Sequence, residues 1–109
     1  MFNSFQNDDV ILRRYRKDGH GDNVLEQTIN AKADVQYQRK NTFDNEGNII
    51  EASAECFITP NSDLNALSIE NMNKEWTLEV DSEERQTARF MRVRYPAKNE
   101  ISHFELLLR

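Results

Sequence analysis

At 109 residues the chain has room for one compact domain and not for two. Hydrophobic residues make up 38% and charged residues 30%, with three glycines and two prolines, a balance that argues against a low-complexity linker or a disordered chain. The formal net charge of −5 argues against tight duplex binding, because such binding draws its affinity from Lys and Arg neutralising phosphates.

Residues 1–9 read as a flexible N-terminal arm without the charged-then-apolar order of a secretory signal. Phe2 and Phe5 are its apolar anchors. Residues 10–109 read as a single domain, and the first strand runs from Val10 to Tyr15. It ends in a glycine-rich turn, Lys17-Asp18-Gly19-His20-Gly21-Asp22.

From Ile29 to Tyr37 apolar and polar residues alternate. Ile29, Ala31, Ala33, Val35 and Tyr37 share one face, and Asn30, Lys32, Asp34 and Gln36 the other. Only a strand alternates faces with period two, so this is a half-buried strand. Ile50 to Ile58 repeats the pattern, with Ile50, Ala52, Ala54, Cys56 and Ile58 facing in. Between the two lies a polar, turn-forming stretch from Arg39 to Asn48, which predicts a long hairpin with an exposed tip.

Asp63 to Lys74 has no clear period and holds either one short helical turn or an irregular arm. Glu75 to Val80 places Trp76, Leu78 and Val80 on one face, and a charged turn from Asp81 to Arg85 follows. Ala88 to Tyr95 reads as a strand with Met91, Val93 and Tyr95 opposed to Arg92 and Arg94, stopped by Pro96. Ser102 to Arg109 closes the chain with Phe104, Leu106 and Leu108 inward, and His103, Glu105 and Leu107 outward.

The predicted core is Ile29, Ala33, Val35, Ala54, Trp76, Val93, Phe104 and Leu106. About six short antiparallel strands joined by turns, with no helix for a βαβ crossover, predict an all-β barrel or sandwich with extended N-terminal and inter-strand arms.

The residues that carry chemistry are sparse. Cys56 is the only cysteine, so neither an internal disulfide nor a thiolate metal cage is available, and its inward position makes it a small hydrophobe. His20 beside Asp18 and Asp22 reads as a turn rather than a metal site. Asp44, Glu46 and Asn48 lack the register and terminal glutamate of a calcium loop. His103 and Glu105 lie two apart on one strand face, as an acid–base pair would, but without a third orienting group. Phosphate loops, nucleophile elbows and zinc-helix motifs are missing. The expectation is a protein that is not an enzyme and holds no cofactor. The basic stretches Arg13, Arg14, Arg16, Lys17 and Arg89, Arg92, Arg94 read as solvated strand faces paired with carboxylates. No apolar run approaches the length of a membrane span.

Taken in order, a further pattern emerges. An opening Val10-Ile11-Leu12-Arg13-Arg14-Tyr15 leads to a strand ending Ala33-Asp34-Val35-Gln36. After a polar loop comes Ser53-Ala54-Glu55-Cys56-Phe57-Ile58-Thr59-Pro60. The Tyr95-Pro96 turn then precedes His103-Phe104-Glu105-Leu106-Leu107-Leu108. Over residues 10–109 this resembles the small head-closure, or stopper, proteins of siphophages, a group that includes head–tail joining proteins and has relatives in gene transfer agents.

The resemblance implies a β-barrel that assembles with copies of itself into a ring in the virion neck, after synthesis in the host cytoplasm. Its implied partners are the portal-adaptor protein on one side and a tail terminator or tail-completion protein on the other. Double-stranded DNA passes without being gripped, which an acidic subunit favours by repelling phosphate. Residues Arg39, Lys40, Asn41, Asp44, Glu46 and Asn48 occupy the place of the family's channel plug. Phe2, Phe5, Leu64, Leu67 and Ile69 are candidate contacts to other subunits. The alternative is a free-standing β-barrel adaptor that binds a protein partner without forming a ring.

Overall fold

The computed structural model of the protein describes residues 8–43 and 46–109. Six strands form a closed antiparallel barrel: β1 (Asp8–Lys17), β2 (Asn23–Phe43), β3 (Ile49–Ile58), β4 (Glu75–Val80), β5 (Glu83–Arg94) and β6 (Ile101–Leu108). Their order around the barrel is β1-β2-β3-β6-β5-β4, with β4 closing on β1. The chain therefore makes two meanders, β1-β2-β3 and β4-β5-β6, and the ladders β1·β4 and β3·β6 join them. Asp8 and Asp9, expected in the N-terminal arm, pair with Ala33 and Lys32 as the first residues of β1. The rest of that arm lies outside the described residues.

The alternation in the sequence places the core. Leu12, Ile29, Ala33, Ala54, Cys56, Ile58, Trp76, Leu78, Phe90, Phe104, Leu106 and Leu108 are buried together. Val35 is half-buried against them. Inward assignments fail in two strands. Tyr37 is exposed, because β2 has by then run past the end of β1 and faces no opposite wall. Val93 is only half-buried, and β5 is turned by one residue from the predicted register. Phe90 faces inward, with Arg92 following it on that side, whereas Ala88 is buried outside the main core with Ala52 and Leu107. A bulge between Thr87 and Arg89 makes the offset. An arginine at an inward position hid it.

Three inward positions near the ends of the barrel are arginines. The Arg14 guanidinium lies 5.9 Å from the ring centre of Trp76, and that of Arg92 lies 5.9 Å from Phe104. Edge-to-face contacts join these rings through Phe90, at 5.5 Å from Trp76 and 6.0 Å from Phe104. At the other end Arg85 sits 5.6 Å from the Tyr37 ring and donates to Ser53 Oγ at 2.7 Å. The reading of Arg14 and Arg92 as solvated faces is thereby corrected, whereas Arg13 does pair with carboxylates, Glu79 and Glu84.

The segment between the meanders crosses one barrel end. It holds two single helical turns, α1 (Ser62–Asn65) and α2 (Ile69–Met72), capped by the side chains of Asn61 and Ser68, which accept from the backbone N–H groups of Leu64 and Asn71. Leu64, Leu67 and Met72 join the barrel core. Arg92 donates to the Leu67 carbonyl, Arg14 to Asn71 Oδ1 at 2.8 Å, and Trp76 Nε1 to the Asn71 carbonyl at 2.8 Å. The crossing segment is a lid on the core, not a free arm.

Two measurements check this register. Phe90→Ala should cost about 3–5 kcal/mol in urea unfolding, and Met91→Ala, on the outer face, about 1 kcal/mol or less. Equal losses would restore the opposite register. The two-residue β4–β5 turn puts Asp81 at φ 53° and Ser82 at φ 64°, a conformation natural to Asn-Gly. Ser82→Gly should raise the unfolding free energy by about 0.5–1 kcal/mol.

Candidate functional site

The β2–β3 hairpin is built differently from the rest of the wall. β1 pairs with β2 only as far as Ala33, and β6 pairs with β3 only from Ala54 onward. Beyond those points Lys40, Asn41, Thr42 and Phe43 pair with Ala52, Glu51, Ile50 and Ile49, and the two strands form a ribbon of their own. The root of the ribbon is seated, since Ala52 and Ile50 pack on Ala88 and Leu107. Its far end is not. Phe43 is 56% exposed and its cross-strand neighbour Ile49 is 73% exposed.

The stretch from Arg39 to Asn41, expected in a loop, is therefore strand. Polar side chains do not mark a loop where one face of a ribbon meets water. A bulge between Tyr37 and Lys40 bends the ribbon. Arg39 is exposed and lies 3.9 Å from Glu51 across the strands. Glu46 and Asn48 are exposed on the turn, where Gly47 takes φ 84°. Asp44 lies outside the described residues.

Of the five contact candidates, Leu64 and Leu67 are overturned, for both are buried in the lid. Their spacing of three, with Met72 five further on, puts one face of two consecutive turns on the core. Ile69 is 73% exposed on α2. Phe2 and Phe5 lie outside the described residues. The apolar surface that sequence reading missed is Phe43 with Ile49, hidden inside a stretch judged by its polar majority.

A groove of about 550 Å³ runs along β4 and β5, with Tyr15, Trp76, Glu84, Arg89 and Arg109 on its walls and Glu46 at its hairpin side. Its best-placed carboxylate is already engaged. Glu84 accepts from Thr77 Oγ1 at 2.6 Å and Tyr15 OH at 3.0 Å, and Arg13 lies at 3.4 Å. The Thr77 hydrogen bond, then those of Tyr15 and the charge of Arg13, hold the carboxyl below its ordinary value of 4.5 against the opposing effect of burial. Such a group stays ionised and fixes strands. Tyr15 is held above its ordinary range, first by burial and then by its bond to Glu84.

His103 and Glu105 do come together, Nε2 to Oε1 at 3.0 Å, and Ser102 Oγ lies 3.0 Å from Nδ1. Neighbours along a strand normally point to opposite faces. Here the irregularity that pairs Val93 with His103 and Arg94 with Ile101 leaves Ser102 as the extra residue and turns it toward the imidazole. The ring is buried and packs at a tilt against Phe57, with ring centres 5.8 Å apart. In the glycine turn, Asp18 accepts from the backbone N–H groups of His20 and Asp22, at 2.8 and 3.0 Å, which uses its carboxylate for turn geometry. Among the described residues no three His, Cys, Asp or Glu side chains converge as a metal site would require. Burial pushes the Cys56 thiol up to about 12, so it stays protonated and unreactive.

Compared with family models, curated proteins and solved structures, the chain matches none.

The depressed Glu84 carboxyl has a measurable sign. Its contribution is present above pH 4.5 and is lost as pH falls through the lower folded value. Because the side chain is 38% exposed, the effect is below about 1 kcal/mol. Glu84→Gln should be slightly less stable than the parent at pH 7, and the two should converge as pH falls below 4. A difference that persists at pH 3 would assign the loss to packing instead.

Proposed function

We propose that the protein is a ring-forming head-closure subunit of a phage neck, which retains packaged DNA and presents a docking surface to the tail. One observation carries the reading: a closed barrel from which a two-stranded ribbon runs on past its neighbours and ends in exposed Phe43 and Ile49. A bare two-stranded ribbon gains little stability by itself, and paired exposed apolar side chains at its end are a cost in a monomer. Such an element is explained by a contact that forms outside the monomer.

Two further features agree with a conduit. The chain is acidic overall, so a ring of copies repels phosphate rather than gripping it. The barrel has no unpaired edge along its closed wall. Pairing with other chains is thereby confined to the ribbon, where it is useful, and withheld elsewhere.

The test is a loop deletion. Replacing residues 44–48 by Asn-Gly leaves the Phe43–Ile49 pair in place and gives the ribbon a tight turn that suits antiparallel strands. The variant should fold with the stability of the parent. Particles assembled with it should package DNA and then leak it, or fail to join tails. Full retention of DNA with normal tail joining would remove the turn from the closure role.

A further inference from the structure

The edge of β2 that faces β1 is only partly used. From Arg14 opposite Gln27 to Asp8 opposite Ala33 the two strands pair in one constant register. The ladder is still intact where the described residues begin, and Lys32 forms an ion pair with Asp9 beside it. Beyond Ala33, β2 runs on to Phe43 with β3 along one side. Among the described residues no strand pairs with its other side.

A long free edge is a liability, because its unpaired N–H and C=O groups accept any passing strand. Connectivity brings a cover to this one. Residues 1–7 run directly into β1, so carrying the same ladder onward needs no turn and no loop closure. At the β1·β2 register Asn7 falls opposite Asp34, Gln6 opposite Val35, Phe5 opposite Gln36 and Ser4 opposite Tyr37. Residues 1–7 contain no Pro, no Gly and no charged side chain, the devices by which chains keep a strand from pairing.

We propose that residues 4–7 continue β1 as a strand along the free edge of β2 in the same chain, as far as the bulge that follows Tyr37. The pairing gives the root of the ribbon the third strand that an isolated hairpin lacks. Past the bulge the ribbon stays two-stranded, with Phe43 and Ile49 exposed at its end. The inference does not depend on the ring reading. It narrows what a neighbouring copy can reach to the outer part of the ribbon.

Cross-linking within one chain tests the pairing, because Cys56 is fully buried and only introduced thiols react. Directly opposed residues of antiparallel strands lie within reach of a disulfide, and a slip of one residue turns the pair to opposite faces. Phe5→Cys with Gln36→Cys, oxidised in dilute solution, should close a disulfide inside the monomer about tenfold faster than Ser4→Cys with Gln36→Cys. Equal rates for the two pairs would overturn the proposal. Disulfide-linked dimers forming as readily from a mixture of Phe5→Cys chains and Gln36→Cys chains would also overturn it, since the occupant would then be the arm of a second copy. Hydrogen exchange gives a second readout without cysteines. Deleting residues 2–7 should speed exchange of the edge-facing amides among residues 34–37 about tenfold, while those of β4 keep their protection. Unchanged exchange at residues 34–37 in the folded, shortened chain would sink the idea.

Discussion

A closed β-barrel has a wall without edges, but it has two ends where the interior meets water, and here arginine manages that boundary. Arg14, Arg85 and Arg92 all occupy inward-facing strand positions. Their stems lie in the core, and their guanidinium groups rest on aromatic rings and reach polar partners near the rims. A cation over an aromatic face is worth about 0.5–2 kcal/mol, more as water is excluded. The larger effect is on the lid. The segment that crosses from β3 to β4 carries backbone carbonyls across an apolar interior, and a buried carbonyl without a donor is costly. Arg92 and Trp76 supply donors to Leu67 and Asn71, and the crossing becomes possible. Without them the two meanders would be joined by a segment with no stable place to lie.

The polar outer wall follows a similar economy. Arg13 on β1 reaches Glu79 on β4 and Glu84 on β5, and Glu84 in turn takes the hydroxyls of Thr77 and Tyr15. These bonds run across the β1·β4 closure, one of the two ladders that turn a pair of meanders into a barrel. Charge is used here for register. On the ribbon, by contrast, charges of both signs are exposed, with Arg39 3.9 Å from Glu51 across the strands.

Six strands and most of the core were legible because alternation survives where both neighbours of a strand are present. Ile29, Ala33, Ala54, Trp76, Phe104 and Leu106 show this. The errors have definite causes. In β5, Phe90 was hidden by the inward Arg92 and by a bulge, and neither has a signature in a binary pattern. Leu64 and Leu67 were read as surface contacts because two single helical turns are too short to display a period. At the candidate site the hairpin was visible, but its length was not. Arg39 to Asn41 are polar and paired, and β2 runs for 21 residues where nine were expected. Phe43 and Ile49 were overlooked because an apolar pair across a ribbon is separated in sequence by its turn.

The joining of two meanders by only two ladders bears on how the chain reaches its native state. Within each meander contacts are local, so the three-stranded units can form early. The β1·β4 and β3·β6 ladders tie residues such as Leu12 to Leu78 and Ile58 to Phe104, far apart in sequence. Such non-local pairing costs loop entropy before any gain is felt, and it slows folding. Until closure, β1, β3, β4 and β6 are all bare edges with one apolar face, the condition in which strands pair with the wrong chain. The lid shortens that interval, because Leu64, Leu67 and Met72 attach to both meanders' shared core as the link between them. A connector that looks like mere spacing is, kinetically, the element that brings the halves into register.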